Sequence, residues 1–480
     1  MDVALLIDGA DVKARSNTTF ERKDPVTGQV ASTAAAGKTE DVNAACEAAA
    51  TAFPAWSATG PNDRRKILLK AADLLEAKTP DFIKLVMEET GGTGPWGGFN
   101  VFFAAKLLRE AACMTTMIHG EVIPSDKPGC LAMGYRQPVG VCVGMAPWNA
   151  PVILGMRAVA MPIACGNTVV LKASETCPAT HMLIGKVLQE AGLPKGVINV
   201  ITHSREDAPQ VVEALIAHPA VRRINFTGSS HVGRIIAQTA AKYLKPVLLE
   251  LGGKAPLLVL DDANIDDAVN GAAFGAFMHQ GQICMSTERI IVDNKIADAF
   301  VDKLAAKANA LPYGDPRGKV VLGSLVSEHS ANRMQELLDD AVGKGAKLVA
   351  GGKRDGTIWS ATLLDNVNPQ MKIYREESFG PVKSIIRVDG DDEAVSVAND
   401  TEYGLSSAVF SENIQRAMAV AKRIQSGICH INGPTVNDEP QMPFGGTKDS
   451  GYGRFGGTAG IAEFTELRWI TIESHQHYPF

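Results

Sequence analysis

The stretch Pro138–Leu171 reads PVGVCVGMAPWNAPVILGMRAVAMPIACGNTVVL and is the longest largely apolar part of the chain. Prolines, glycines and scattered polar residues interrupt it, so it lacks the uniform apolarity of a membrane span. We predict that it forms buried strands at Val139–Met145 and Thr168–Lys172 with a helix at Pro151–Ala164 between them.

The same alternation of short apolar segments with segments of helical periodicity continues along the chain. Its next members are strands at Val197–Ile201 and Val221–Phe226 and helices at Pro178–Ala191 and Ala208–Ala217. A second set comprises strands at Ala255–Leu260, Arg289–Val292 and Lys383–Val388 and helices at Asp267–Gly281, Ile296–Ala310 and Ser330–Gly343. The helices predicted before Pro138 are Asp41–Phe53, Pro61–Lys78, Pro80–Thr90 and Phe99–Met117. Strand–helix alternation predicts the α/β class, with parallel sheets covered by helices on both faces.

A chain of 480 residues is too long for one core, so we expect two or three domains. Gly252 and Gly253 interrupt the pattern between the two sets, and we place a domain boundary at Glu250–Lys254. The extended tail Glu466–Ile472 is typical of an added edge strand.

Charge and cysteine content give no support for binding to nucleic acid, to an anionic membrane or to a metal, or for secretion. A formal net charge of −6 gives no electrostatic reason to expect nucleic acid or an anionic membrane. The amino terminus carries acids where a secretory signal needs bases. The eight cysteines show neither a CxxC pair nor zinc-like spacing, which favours a reducing cytoplasm. No metal is expected, and we interpret His475-Gln476-His477 as polar surface.

A phosphate site is suggested after the strand Val221–Phe226. The next residues, Thr227-Gly228-Ser229-Ser230-His231-Val232-Gly233, lead into a helical run. A strand, a Gly/Ser turn and a helix start aim backbone N–H groups at a phosphate. The spacing departs from the usual dinucleotide pattern G-x-G-x-x-G, and an ordinary strand-to-helix turn is an equal alternative.

Lys172 and Glu175 end another predicted strand. A cation and an acid at the carboxyl end of a strand suit contacts with ribose and phosphate at the crevice of an open sheet. The alternative is a solvated strand end.

Cys284 and Glu250 are the candidate chemical groups. Cys284 lies in a polar run, Gln280–Arg289, unlike the apolar surroundings of Cys142 and Cys165. Glu250 follows an apolar strand, where desolvation raises a carboxyl pKa and makes the group a better base. A thiol nucleophile and a carboxylate base predict covalent capture of a carbonyl followed by hydrolysis. The structural alternatives are a core cysteine and a solvent-facing acid.

Asn149, in Ala146-Pro147-Trp148-Asn149-Ala150-Pro151, is a candidate donor to a developing oxyanion together with the backbone N–H of Cys284. Its alternative role is to cap the helix that follows.

Taken together, these motifs resemble those of the aldehyde dehydrogenase superfamily, in order and over most of the chain. The matching motifs are Pro147-Trp148-Asn149, Lys172-x-x-Glu175, Phe226-Thr227-Gly228-Ser229 with Gly233, Glu250-Leu251-Gly252-Gly253-Lys254, Gly281-Gln282-Ile283-Cys284, Glu377-Ser378-Phe379-Gly380-Pro381 and Pro443-Phe444-Gly445-Gly446-Thr447-Lys448-x-Ser450-Gly451.

The resemblance implies a role for each motif. It makes Cys284 the nucleophile, Glu250 the general base and Asn149 the oxyanion donor. It implies that the cofactor-binding residues are Pro147, Trp148, Lys172, Glu175, Gly228, Ser229, Gly233, Leu251, Glu377 and Phe379. Because an acid at Glu175 should repel a 2′-phosphate, we favour NAD over NADP.

The resemblance also implies the domain plan. A Rossmann-like NAD-binding domain would comprise residues 1–118 and 138–250, and an α/β catalytic domain residues 251–450. A small β arm of residues 119–137 and 451–480 would serve oligomerisation, giving a homodimer or homotetramer.

The substrate hypothesis depends on finer similarity. Pro151–Arg157, Gln282–Arg289 and His430–Val436 look like the corresponding segments of vanillin and salicylaldehyde dehydrogenases. Ala150 and the last of these segments favour the vanillin type. We assign to the substrate site Trp96, Ala150, Leu154, Arg157, Ile283, Met285 and Phe444.

Arg157 is the only charged residue between Arg136 and Lys172. An unpaired buried guanidinium is costly, so one hypothesis is a structural ion pair. The other is that Arg157 faces the substrate and binds a phenolic oxygen.

The resulting hypothesis is a cytoplasmic, NAD-dependent dehydrogenase of a small aromatic aldehyde, vanillin or another hydroxybenzaldehyde. The reaction would give the acid through a thiohemiacetal and a thioester. Alternatives are a salicylaldehyde or broad benzaldehyde dehydrogenase, a CoA-acylating dehydrogenase, which Glu250 argues against, and a catalytically silent protein on the same fold.

Overall fold

The computed structural model describes residues 1–473 and 478–480. The interpretation of His475-Gln476-His477 as polar surface lies outside the described residues. The strands are β1 Asp2–Val3, β2 Leu5–Ile7, β3 Ala10–Val12, β4 Thr19–Lys23, β5 Val30–Ala35, β6 Glu121–Ile123, β7 Leu131–Pro138, β8 Val141–Met145, β9 Thr168–Lys172, β10 Ile198–Ile201, β11 Val221–Thr227, β12 Val247–Glu250, β13 Ala255–Val259, β14 Thr287–Asp293, β15 Lys347–Ala350, β16 Arg354–Asp355, β17 Ile358–Trp359, β18 Thr362–Asp365, β19 Val382–Val388, β20 Tyr403–Gly404, β21 Ser406–Phe410, β22 Ile428–Ile431, β23 Thr447–Lys448, β24 Gly451–Tyr452 and β25 Thr465–Ile472.

The helices cover the faces of the sheets. They are α1 Thr39–Ser57, α2 Pro61–Ala77, α3 Thr79–Thr90, α4 Gly94–Met114, α5 Pro151–Ala164, α6 Pro178–Glu190, α7 Ala208–Ala217, α8 Ser230–Lys242, α9 Ile265–Phe277, α10 Ala297–Asn309, α11 Glu328–Gly343, α12 Lys372–Arg375, α13 Gly390–Asn399, α14 Ile414–Ala421 and α15 Gly457–Phe464.

Two large sheets organise the chain. The first has the order β24-β12-β11-β8-β9-β10-β2-β3, with β12 to β10 parallel. The second has the order β15-β18-β19-β14-β13-β21-β22, parallel from β18 to β22. The central strands are buried along their whole length, as expected for parallel strands covered on both faces. The α/β class predicted from the sequence is confirmed.

A third, antiparallel sheet of β25, β7 and β6 stands apart from these two. Its β7 and β25 pair over eight residues each, from Leu131 to Pro138 and from Thr465 to Ile472. The strand β24, which lies within the range 451–480, pairs instead with β12 at the edge of the first sheet.

Several predicted elements have the observed bounds, namely β9, α5 and α7. Two helices differ. The helix α4 starts at Gly94, before the predicted Phe99, because the Thr93 side chain accepts a hydrogen bond from the Trp96 N–H and caps it. The predicted helix Asp267–Gly281 ends at Phe277, because His279 and Gln280 adopt φ of 50° and 54° and cannot continue a right-handed helix.

The parallel register brings distant loops to one edge of the first sheet. Met145 lies opposite Phe226, and Thr227 lies opposite Glu250, so β8, β11 and β12 end side by side. Ligands bind at the carboxyl ends of strands in open α/β sheets. The loops that follow these strands therefore meet at the place where a site is expected.

Candidate active site

Two cavities meet at Cys284. One of about 440 Å³ is lined by aromatic and aliphatic side chains, and one of about 210 Å³ lies at the ends of β11 and β12. Cys284, Asn149 and Leu154 line both. Glu250 lines the smaller cavity. The three predicted catalytic residues therefore converge at the junction, although they come from separate parts of the chain.

The loop that carries Cys284 is held on both sides. Gly281 has φ of 72°, and a Cβ there would lie 2.3 Å from the Gly380 carbonyl oxygen, so only glycine fits. The Gln282 side chain accepts a hydrogen bond from the Val326 N–H at 3.1 Å. These contacts fix the backbone just before the half-buried thiol.

Asn149 is buried, and its Nδ2 donates to the Gln282 carbonyl at 2.9 Å. It does not cap α5, whose N-cap residue is Ala150, without a side-chain hydrogen bond. The amide instead points toward the backbone beside Cys284. The backbone carbonyl of Asn149 accepts a hydrogen bond from the Trp96 indole N–H at 3.0 Å.

Glu250 is only 1% exposed, and neither carboxylate oxygen has a hydrogen-bond partner in the described part of the chain. Burial raises the pKa of Glu250 from its ordinary value of 4.5 to about 8. The Arg157 guanidinium opposes this shift, as does a close contact with the Cys284 thiol that falls short of hydrogen-bond geometry. The carboxyl is therefore poised to take up and release a proton near neutral pH.

The Cys284 thiol lies in an environment that opposes its ionisation. Burial raises its pKa well above the usual range, and the nearby carboxyls of Glu250 and Glu377 raise it further. A base or an added positive charge is needed to generate a thiolate here.

The smaller cavity collects most of the predicted cofactor residues. Those lining it are Pro147, Trp148, Gly228, Ser229, Leu251, Glu377 and Phe379. The rings of Trp148 and Phe379 meet edge to face at 5.7 Å. Glu377 accepts a hydrogen bond from the Gly253 N–H at 2.8 Å, and burial raises its pKa to about 7.

Gly233 does not line this cavity but shapes the helix beside it. A Cβ at Gly233 would lie 2.5 Å from Leu251 Cδ2, so glycine allows α8 to approach the loop after Glu250. Ser229 caps α8 by accepting a hydrogen bond from the Val232 N–H at 3.3 Å.

Lys172 and Glu175 lie at the end of β9, outside both cavities. Lys172 Nζ lies 2.8 Å from His203 Nε2, and both side chains are buried. Burial works against ionisation of Glu175, but Lys172 and neighbouring cations hold the pKa of its carboxyl below the usual range. His203 was missed by the sequence analysis, since it follows β10, thirty-one residues after Lys172.

These features fit a nicotinamide dinucleotide. The turn at Gly228 and Ser229 leads into the amino terminus of α8, where backbone N–H groups are available to a pyrophosphate. Lys172 and Glu175 stand at the neighbouring strand end. Trp148, Phe379 and Glu377 line the cavity on the way to Cys284.

The larger cavity collects every predicted substrate residue: Trp96, Ala150, Leu154, Arg157, Ile283, Met285 and Phe444. Further lining residues that were not assigned to the substrate are Phe99, Phe102, Phe103, Lys106, Ile153, Phe274, Met278, Pro434, Val436, Asn437 and Asp438. The α4 aromatics among them lie in the segment Trp96–Phe103, which shows an aromatic run in the sequence.

Arg157 has an ion-pair partner and also faces the aromatic cavity. It is 6% exposed and forms an ion pair with Asp438, so the structural partner exists. Its guanidinium also lies 4.4 Å from the centre of the Phe444 ring and lines the larger cavity. Nothing in the sequence marked Asp438, which lies 281 residues away.

Two further observations concern metal binding and membrane-spanning helices. In residues 1–473 and 478–480, no set of His, Cys, Asp and Glu side chains is arranged to hold a metal ion. Among the same residues, none of the helices has the length and apolarity needed to cross a membrane.

Comparison with known proteins identifies the family of the chain. Residues 12–470 match the model of the aldehyde dehydrogenase family. The chain is 60% identical to a vanillin dehydrogenase of Pseudomonas fluorescens and 52% identical to a salicylaldehyde dehydrogenase of Pseudomonas putida, over all of each chain. The crystal structure of a salicylaldehyde dehydrogenase from Pseudomonas putida G7, complexed with salicylaldehyde, matches with a TM-score of 0.98 and 51% identity over the full length of both chains. The chain therefore belongs to the aldehyde dehydrogenase family.

Proposed function

We propose that this protein oxidises a hydroxylated aromatic aldehyde, vanillin or a related hydroxybenzaldehyde, to the carboxylic acid, with NAD as the cofactor. The observation that carries the proposal is the position of Cys284. The thiol stands between an aromatic cavity the size of a small-molecule site and a second cavity lined by Glu250 and Glu377.

In the first half of the reaction, Cys284 is the nucleophile. Its sulfur bonds to the aldehyde carbon, and Glu250 is the group placed to take the thiol proton. The Asn149 amide and the Cys284 backbone N–H then donate hydrogen bonds to the oxyanion of the thiohemiacetal. Trp148, Glu377 and Phe379 line the cavity that would hold the nicotinamide of NAD, and the cofactor would supply the hydride acceptor that converts the thiohemiacetal into a thioester on Cys284.

In the second half, Glu250 is the base. After passing the thiol proton to solvent, it removes a proton from a water molecule, which attacks the thioester carbon. The carbon–sulfur bond breaks, and the departing sulfur takes that proton from Glu250. The products are the carboxylic acid and the free Cys284 thiol. A carboxyl with a pKa of about 8 holds protons weakly enough to release them and strongly enough to accept them near neutral pH.

The larger cavity supports a single-ring aromatic substrate. Its volume of about 440 Å³ and its aromatic lining suit one substituted benzene ring. The Arg157–Asp438 pair lies within this lining and offers a guanidinium to a ring hydroxyl. The similarity to vanillin and salicylaldehyde dehydrogenases supports the same substrate class.

The choice of NAD over NADP depends on Glu175. The family uses NAD or NADP. Lys172 and nearby cations keep the Glu175 carboxyl ionised, since its pKa is lowered despite burial. A negative charge at this strand end disfavours a 2′-phosphate. Comparing kcat/KM for NAD and NADP in the parent and in Glu175→Gln tests this; an unchanged preference would contradict it.

A panel of aldehydes tests the substrate. We expect the highest kcat/KM with vanillin, then salicylaldehyde, then benzaldehyde, and the lowest with a short aliphatic aldehyde. A higher kcat/KM with salicylaldehyde would favour a salicylaldehyde dehydrogenase. Equal kcat/KM for all aromatic aldehydes would favour a broad benzaldehyde dehydrogenase. Arg157→Ala should raise KM for hydroxylated benzaldehydes more than for benzaldehyde.

The alternative of a CoA-acylating dehydrogenase differs in the second half-reaction. It needs no water-activating base, whereas Glu250 lies in the cavity beside the thiol. Product analysis with coenzyme A present separates the two, because free acid supports hydrolysis and acyl-CoA supports the alternative.

The antiparallel sheet of β6, β7 and β25 supports a homodimer or homotetramer. Large apolar side chains on it are exposed, namely Val122, Tyr135, Leu467, Trp469 and Ile472. Trp469 alone is 80% exposed. A patch of this kind is typical of a surface covered by another chain. Light scattering after size exclusion should give a dimer or tetramer, and a monomer would contradict this.

A cytoplasmic location is part of the proposal. All eight cysteines carry free thiols, as expected in a reducing compartment. Fractionation of cells that produce the protein would test it.

A further inference from the structure

A third cavity, apolar and of about 540 Å³, adjoins the aromatic cavity of about 440 Å³ at the candidate active site, here called the catalytic cavity. The two share a wall of four side chains, Trp96, Phe99, Phe274 and Met278. Within the described chain, Cys284 lines the catalytic cavity and not this one. This cavity of about 540 Å³, here called the outer cavity, therefore lies beside the catalytic cavity and shares a wall with it.

The outer cavity contains an unsatisfied polar group. His279 is 3% exposed and lines it. Neither ring nitrogen has a hydrogen-bond partner among the described residues. Buried polar groups are normally hydrogen-bonded, so a ligand that reaches these buried nitrogens by displacing a neighbouring wall side chain would satisfy them. Burial lowers the pKa of His279 to about 3, so the neutral ring presents one N–H donor and one acceptor.

The position of His279 is itself unusual. It has φ of 50°, in the left-handed region that non-glycine residues seldom adopt. Its ring stacks on the Trp96 indole with centres 4.6 Å apart and an interplanar angle of 11°. The chain accepts this conformation and holds the ring against the shared wall, which is consistent with a ligand-binding role.

A positive charge stands at the rim of the outer cavity. Lys307 lines it, and its Nζ donates a hydrogen bond to Asn270 Oδ1 at 2.5 Å; among residues 1–473 and 478–480 it forms no ion pair with a carboxylate. The rest of the lining is mainly apolar and includes Leu311 and Val321. Aromatic walls, one imidazole and one ammonium group define a site for a planar anionic ring.

We propose that the outer cavity binds a hydroxylated aromatic carboxylate, the chemical class of the product, at the same time as substrate occupies the catalytic cavity. The ring would lie against the shared wall, with its polar groups bonded to His279 and its carboxylate facing Lys307. This assignment rests on the proposed function for the identity of the acid.

Binding there would reach the catalytic site through Trp96. The indole ring is stacked on His279, while its N–H donates to the backbone carbonyl of Asn149. The side-chain amide of Asn149 is the candidate oxyanion donor. A ligand that shifts this indole would alter the position of Asn149. We therefore expect the acid to lower kcat as well as to compete with the aldehyde.

Calorimetric titration with 4-hydroxybenzoate tests the site directly. We expect two acids per chain in the parent protein, one in each cavity. Val321→Glu places a negative charge on an exposed residue of the outer cavity and should remove one of the two. Val321→Gln, matched in size but uncharged, should retain both. One acid per chain in the parent, or two in Val321→Glu, would overturn the proposal.

The two chemical contacts have their own tests. His279→Phe keeps an aromatic ring on Trp96 but removes the nitrogens, and Lys307→Met removes the cation; each should weaken the outer site about tenfold. In Cys284→Ala, 4-hydroxybenzaldehyde should bind the outer site more weakly than 4-hydroxybenzoate. Equal binding of the two, or no effect of Lys307→Met, would refute the carboxylate assignment.

Kinetics supply an independent measurement. With benzaldehyde as the substrate, 4-hydroxybenzoate should give mixed inhibition in the parent and purely competitive inhibition in Val321→Glu, with no change in uninhibited kcat. Purely competitive inhibition of the parent would contradict the proposal. If no aldehyde supports NADH formation, the proposed function fails, whereas the calorimetric stoichiometry still decides whether the outer cavity binds the acid.

Discussion

Glu250 and Glu288 are both carboxylates buried at the ends of strands, yet their surroundings shift their pKa values in opposite directions. Glu288 receives hydrogen bonds from Lys254, Lys383 and the Ser378 N–H and hydroxyl. Burial opposes its ionisation, but the two lysines and these hydrogen bonds lower its pKa to about 2. Glu250 has no hydrogen-bond partner in the described chain, and its pKa is raised to about 8.

The difference shows that burial alone does not decide the protonation of an acid. A carboxylate whose oxygens are all satisfied is a structural group, since protonating it would break several bonds. A carboxyl without partners is available to the reaction. Glu288 joins the segments that carry Lys254 and Ser378, and so holds the loops of the site in place. Glu250 stands free among them.

The largest expected effect comes from removing the free carboxyl. Glu250→Gln should lower steady-state kcat by about 10²- to 10⁴-fold, because the amide cannot activate water. A burst of NADH should remain, since thioester formation precedes hydrolysis, but it should be slower than in the parent because the amide cannot take the Cys284 proton. Rapid-mixing absorbance at the NADH band measures both phases. Normal steady-state turnover would show that the comparison assigns Glu250 the wrong role.

Removing the satisfied carboxylate should act on stability instead. Glu288→Gln leaves two buried lysines without their anion and should lower the free energy of unfolding by about 3–5 kcal/mol. The double variant Glu288→Gln/Lys383→Met restores the net charge of the cluster and should recover part of the loss. Denaturant unfolding of the three proteins measures this. A Glu288→Gln protein as stable as the parent would remove the contrast with Glu250.

The two acids should also give opposite pH dependences of stability. A raised pKa means that folded Glu250 binds more protons than unfolded Glu250 between its ordinary value of 4.5 and about 8, so its contribution to stability falls as pH rises through this window. Glu288 contributes to the free energy of unfolding above pH 4.5, its ordinary pKa, and this contribution is lost as the pH falls towards about 2.

Glu250→Gln isolates the first of these effects. Relative to the parent, it should gain stability by a few kcal/mol, roughly 1.4 per unit of pKa shift, between about pH 5 and pH 8.5. Thermal unfolding of both proteins across this range measures the difference. A difference that is constant with pH would mean that Glu250 titrates normally in the folded protein.

The smallest expected effect concerns Arg157, whose positive charge opposes the rise in the Glu250 pKa. Arg157→Met should raise the Glu250 pKa further and move the pH midpoint of kcat upward by less than about one unit. The pH profile of kcat with benzaldehyde, which lacks a ring hydroxyl, measures this apart from substrate recognition. A midpoint that moves downward would contradict the electrostatic account.

Much of this organisation could be predicted from local sequence. Strand β9 and helices α5 and α7 were predicted with their observed bounds, because apolar periodicity and prolines mark their limits. The predicted helix over Asp267–Gly281 was wrong at its end, since the left-handed residues His279 and Gln280 carry no local signal. The start of α4 was missed because the Thr93 cap precedes the periodic region.

The sequence by itself determined the α/β class, the family resemblance and the identity of the candidate groups Cys284, Glu250 and Asn149, because these depend on periodicity and on motifs within a few residues. Only the tertiary structure decided which groups are paired. Arg157 meets Asp438 across 281 residues, Glu288 meets Lys383 across 95, and Glu250 meets no hydrogen-bond partner in the described chain. Such pairing is set by how strands and loops pack in space, and that packing decides which buried acid is structural and which is free to react.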